Sequence, residues 1–170
     1  PINYKTLLIG FLVLTAPSLL FAFLGIYLSN SYNLNQVNIG YVYTIIAIGT
    51  IFGIVFATLF TDKIGKEKLS RISYIIVFIT LIAMMFIKSL PGIIGIMTIF
   101  AMGLDGGWTA YQALCSEINP KKRGTYMSLL YTTNAITITF YSILGPVFYN
   151  FCGYKFLIII SLISNFIALR

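Results

Sequence analysis

Thr61-Asp62-Lys63-Ile64-Gly65-Lys66-Glu67-Lys68 is a charged octapeptide set between two apolar stretches, residues 39–60 and 72–87, that carry no charge at all. Asp62, Lys63, Lys66, Glu67 and Lys68 are all ionised at pH 7, whereas the flanks are too apolar and too long for an ordinary soluble core. The octapeptide therefore reads as a tight turn at a membrane surface, with one helix entering it and another leaving. The polar backbone of such a turn has to lie in water or against protein.

Working outward, the composition agrees. The 170 residues are 59% hydrophobic and 9% charged, and a chain of this size has no way to bury that much apolar surface in water. Its net charge of +7 does not point to nucleic acid, because the basic residues fall in short turns between apolar runs and form no broad basic face. Cys115 and Cys152 are expected at opposite membrane faces, too far apart for a disulfide, whose α-carbons lie within about 7 Å. Histidine is absent, which removes the commonest metal ligand and general base. Neither paired carboxylates within the membrane nor a Gly-x-Ser-x-Gly elbow is present. No catalytic residue, metal or cofactor is expected, and the chain does not read as an enzyme.

Six spans are expected, at residues 6–28, 39–60, 71–87, 93–115, 125–149 and 155–169, forming an all-α membrane protein. The first is about 35 Å long at 1.5 Å per residue, with a kink expected at Pro17. A polar loop at residues 29–38 leads to the second, where Gly49, Gly53 and Ala57 form a small-residue stripe that admits a close helix neighbour. The third, uniformly aliphatic, is expected to face lipid. In the fifth, Tyr131, Asn134, Thr137 and Tyr141 share one face, and Gly145-Pro146 is expected to bend or end the helix. A turn at residues 150–154 precedes the sixth.

The fourth span is the most informative. Asp105 lies near its middle and is the only charge in the interior of any span, so exposing it to lipid would cost several kcal/mol. Thr98, Ala101, Asp105, Thr109, Gln112 and Ser116 fall on one stripe with Trp108 at its edge. Such a stripe either lines a wet path or holds helices together. Gly103 and Gly107 could admit a neighbour on the adjoining face.

The pattern Asp62, Lys63, Gly65, Lys66 and Lys68 resembles the signature between the second and third helices of each half of a major facilitator superfamily transporter. Glu117, Pro120, Arg123 and Gly124 resemble the family's second mark, between the fourth and fifth helices. The match departs at Thr58, where the family has glycine, and at Glu67, where it has a basic residue. The resemblance implies one six-helix half of a twelve-helix transporter, with a three-plus-three inverted repeat. The C-terminal half is expected, since the chain enters its first span without an initiator methionine. The missing half would be a partner of this segment.

The implied function is movement of a small solute across the membrane by alternating access, as a proton-coupled symporter or antiporter or as a facilitator. Asp105, Trp108, Thr109, Gln112, Tyr131 and Asn134 would line the path of substrate and protons. Asp62, Lys63, Gly65, Lys66, Glu117 and Arg123 would form a cytoplasmic gate. The alternative is a non-transporting membrane protein, an assembly subunit or a sensor. All Lys and Arg except Lys88 and Lys155 fall on one side, which is expected to be cytoplasmic in a cell membrane and to carry both termini.

Overall fold

A computed structural model describes residues 4–118 and 120–169. Arg170, counted above with the cytoplasmic charges, lies outside the described residues. Among these, five helices are long and apolar enough to cross a membrane. They are α1 (Tyr4–Tyr32), α2 (Gln36–Ile64), α3 (Lys66–Phe86), α4 (Leu90–Ile118) and α5 (Arg123–Ala168), with a 3-10 turn, Pro120–Lys122, before the last.

The helices are longer and their joints shorter than the sequence suggests. The expected ten-residue polar loop contracts to positions 33–35: Asn33 adopts a left-handed conformation (φ 52°), and the Asn35 side chain accepts a hydrogen bond from the Asn38 N–H at 2.8 Å, capping α2. Asparagine tolerates the first role and is favoured in the second. The expected turn at residues 150–154 contracts further, to the single break at Gly153 (φ 72°, ψ −176°) inside α5. Nor does Gly145-Pro146 end the fifth helix. Pro146 lies inside α5, and the bare face of Gly145 admits the Phe23 ring and Leu19.

The helices group into two compact units. One joins the stretch through Leu24 with the stretch from Leu114 onward. Here the contacts give a register: Phe11 meets the rings of Phe140 and Tyr141, with centroids 6.1 Å away in each case, and Phe23 stacks on Tyr149 at 5.5 Å. This part of α5 therefore runs in the same direction as α1. Beyond Gly153, the Tyr154 hydroxyl donates to the Leu20 carbonyl at 3.1 Å and Phe156 meets Phe148 at 5.7 Å, so the chain comes back onto a stretch of α1 already passed. Inside this unit Thr15 donates to the Tyr141 hydroxyl at 3.2 Å. Thr132, Thr133 and Thr137 bond carbonyls of their own helix, a use that removes hydroxyls from competition in an apolar surrounding.

The second unit is Gly25–Ala113, and small residues dictate its packing. A methyl group on Gly53 would run into the Met102 carbonyl, one on Gly49 would stand 2.7 Å from the Thr98 carbonyl, and one on Gly106 would stand 3.0 Å from the Gly53 carbonyl. Backbones of α2 and α4 therefore touch along the stripe, and Ala57 continues it against Leu69 and Ala110. On another face of α4, Gly103 and Gly107 receive Ser73, Tyr74 and Val77 of α3. This corrects the expectation that the third helix faces lipid. Its Ser70, Ser73, Tyr74, Val77, Thr80, Leu81 and Met84 make a buried seam, while Ile72, Ile75, Ile79 and Ile82 stay outside. At the far end the Tyr32 hydroxyl donates to the Lys88 carbonyl at 2.7 Å.

Ile45, Ile48, Phe52, Val55, Phe56 and Leu59 of α2 are exposed. A face of that kind suits hydrocarbon, not water.

The α2–α4 contact is testable. Gly53→Val should lower stability by about 1–3 kcal/mol through overpacking, seen as a lower midpoint of thermal unfolding in detergent. Gly40→Val, at a site where an added Cβ meets nothing within 4 Å, is the control and should leave the midpoint nearly unchanged. Equal losses at both sites would mean that Gly53 is not a contact point.

Candidate functional site

The faces of α4 divide the work around its centre. Gly106, with Thr98 and Met102, meets α2, and Gly103 with Gly107 meets α3. Helical spacing then turns Ala101, Trp108 and Gln112 to a third side, on which Ala101 is fully buried and the other two half-buried. Asp105 and Thr109 lie at the border of this side with α2. There the Thr50 hydroxyl donates to Asp105 Oδ2 at 2.7 Å.

Thr50 is the residue that sequence reasoning missed. Its place between Gly49 and Gly53, where α2 comes closest to α4, becomes a signal only once the facing residue is known. Thr109 is committed differently, with its hydroxyl on the Asp105 backbone carbonyl at 2.8 Å. Trp108 is half-buried and its ring lies 5.9 Å from that of Tyr111, tilted by 31°. Gln112 is half-buried on the same side as Trp108. Asp105, Trp108, Thr109 and Gln112 are thus brought together on one helix. Tyr131 and Asn134 belong to α5 in the other unit, Tyr131 exposed and Asn134 half-buried.

The charged octapeptide closes the opposite end of α2. A single residue, Gly65, separates α2 from α3, with φ 96° and its N–H bonded to the Thr61 carbonyl at 3.0 Å. That left-handed conformation suits glycine and strains any residue with a Cβ, which is the physical content of the glycine in the motif. Thr61 turns its own hydroxyl back onto the Ala57 carbonyl.

Charges around this corner are paired within it. Lys66 Nζ lies 3.7 Å from Asp62 Oδ1; the lysine side chain is 22% exposed and the aspartate 88%. Lys63 sits over the Phe60 ring at 5.5 Å. Glu67, at the position where the motif is usually basic, bonds Arg71 at 3.0 Å one turn on. Exposed pairs of this spacing contribute about 0.3–0.5 kcal/mol, so that one marks the helix start more than it clamps anything. Thr58, the other departure, is exposed and bonds its own Ile54 carbonyl, while Ala57 makes the close contact. Glu117 and Arg123 are exposed residues of the other unit, at the end of α4 and the start of α5.

A family model described as Major Facilitator Superfamily matches residues 6–169. No curated protein matches the chain. The resemblance carried by Asp62, Gly65, Lys66, Glu117 and Arg123 is thereby borne out at the level of the family.

Gly65→Ala should cost about 1–2 kcal/mol, the strain of one non-glycine residue in the left-handed region. Gly124→Ala should be neutral or stabilising, because Gly124 is helical and an added Cβ there meets nothing within 4 Å. Comparing the thermal midpoints of both variants in detergent checks the assignment; an unchanged midpoint for Gly65→Ala would refute it.

Proposed function

This chain belongs to the major facilitator superfamily, and from that premise we propose that it moves a small solute across a cell membrane by alternating access, coupled to protons through Asp105. The family's members are transporters and not enzymes. One observation carries the finer reading: a carboxylate near the middle of a membrane-spanning helix, bonded by Thr50 of α2 at 2.7 Å at the edge of the side of α4 that carries the half-buried Trp108 and Gln112. A charge in that position is costly in lipid and is kept where it meets water, an ion or a solute. Tyr131 and Asn134 are proposed to extend the path along α5.

In this reading the chain crosses the membrane six times, with Gly153 as the last outer turn, so that α5 supplies two crossings. Its 46 residues would span about 69 Å as one straight helix, against a hydrocarbon layer of about 30 Å. The return of Tyr154 to Leu20 and of Phe156 to Phe148 supports the reversal. Both termini then lie on the side of the Asp62 corner, which the positive-inside rule makes cytoplasmic. Such a bundle works as one half of a pair of six-helix halves. Asp62, mostly exposed at the end of α2, is proposed to meet the positive N-terminus of a helix of the second half when the cytoplasmic side closes. Lys63, Lys66, Glu117 and Arg123 complete this gate.

Full-length protein in sealed liposomes tests the proposal. A panel of small solutes is screened for accumulation under an imposed proton gradient, and for the solute that accumulates, Asp105→Asn should abolish accumulation. Asp62→Asn should insert normally, since its side chain is 88% exposed, yet transport several-fold more slowly at equal expression. Wild-type accumulation in Asp105→Asn would remove that residue from the coupling path, and wild-type rates in Asp62→Asn would remove the gate.

A further inference from the structure

The interior of the second unit is electrostatically one-sided. Residues 39–60 of α2 and 72–86 of α3 carry no charge, and between Leu90 and Ser116 the only charge on α4 is Asp105. The carboxylate is bonded by the Thr50 hydroxyl, and the spans of α2 and α3 that flank it offer no cationic side chain. An ionised carboxylate offers about four lone-pair sites, of which Thr50 takes one. The next polar group along the face, the Thr109 hydroxyl, donates to its own helix, which leaves the carboxylate as the one charged group of the face. An anionic solute would meet an uncompensated negative charge. One turn beyond Asp105 stands the half-buried Trp108 ring, backed by the buried Tyr111 ring at 5.9 Å, so that an aromatic face lies one helical turn from a negative group.

We propose that this Asp105 and Trp108 face of α4 binds an organic ammonium ion bearing methyl or aromatic substituents, with Asp105 as counter-charge and the indole, held from behind by Tyr111, as its apolar and cation-attracting wall. Aromatic faces attract cations through the ring quadrupole, and tryptophan does so best. The assignment of the solute as a cation rests on the reading of this face as part of the transport path.

Trp108 is the only tryptophan of the chain, so its emission reports on the site. Full-length protein in detergent is titrated with benzyltrimethylammonium, with benzenesulfonate as its anionic counterpart and benzyl alcohol as its neutral one; a Trp108→Phe variant supplies the background. The cation should give a saturable change in Trp108 emission that the other two lack. Its affinity should fall about tenfold or more in Asp105→Asn, as expected on leaving a bound charge without its partner, and be largely kept in Asp105→Glu. By calorimetry, Trp108→Phe should weaken binding several-fold. A response to the anion or the neutral compound equal to that of the cation, or unchanged affinity in Asp105→Asn, would overturn the proposal. The wild-type comparison of the three probes stands even if a variant fails to fold. Transport of some other solute in liposomes, with no binding of the cation, would sink the cation site and leave transport intact. Binding of the cation in a protein that moves no solute would do the reverse.

Discussion

Backbone-to-backbone contact between α2 and α4 is the constraint on which the second unit depends. In lipid, helices gain little from hiding apolar side chains, since the surrounding tails are equally apolar, so association relies on close packing and on polar contacts. Gly49, Gly53 and Gly106 remove the side chains that would hold the axes apart. Only at that separation does a short hydroxyl side chain such as Thr50 reach Asp105 Oδ2. The same closeness fixes which side of α4 remains for α3, whose Ser73, Tyr74 and Val77 meet Gly103 and Gly107.

Much of this was legible in the sequence, and the reasons differ residue by residue. Glycines at four-residue spacing announce a close helix contact because nothing else justifies their cost in a helix, and Gly49, Gly53, Gly103 and Gly107 all make such contacts. Asp105 was legible because a charge stands out in an apolar run. Thr50 was not, since a threonine in a membrane helix is unremarkable until its neighbour is known. The seam of α3 was hidden for a related reason: Ser70, Ser73, Tyr74 and Thr80 are spaced to share a face, but the many isoleucines around them dominate any hydropathy reading.

The joints were the least legible part. A polar, asparagine-rich run such as residues 29–38 looks like a loop by composition, yet asparagine both ends helices in the left-handed conformation and caps them, so most of the run is helix. Gly145-Pro146 misleads in the opposite direction. Proline removes one hydrogen bond from a membrane helix, and neighbouring groups tolerate the loss, whereas Gly153, with no proline beside it, departs from helical geometry.

The single-residue joint at Gly65 has a mechanical consequence. Successive α-carbons are about 3.8 Å apart, so a one-residue link leaves no slack between the end of α2 and the start of α3. Any sliding of one helix along the other by more than a few ångströms would have to unwind a turn. The two helices are therefore tied in register, and an axial shift of either at the charged corner is shared by the other, whose Ser73 and Tyr74 sit on α4.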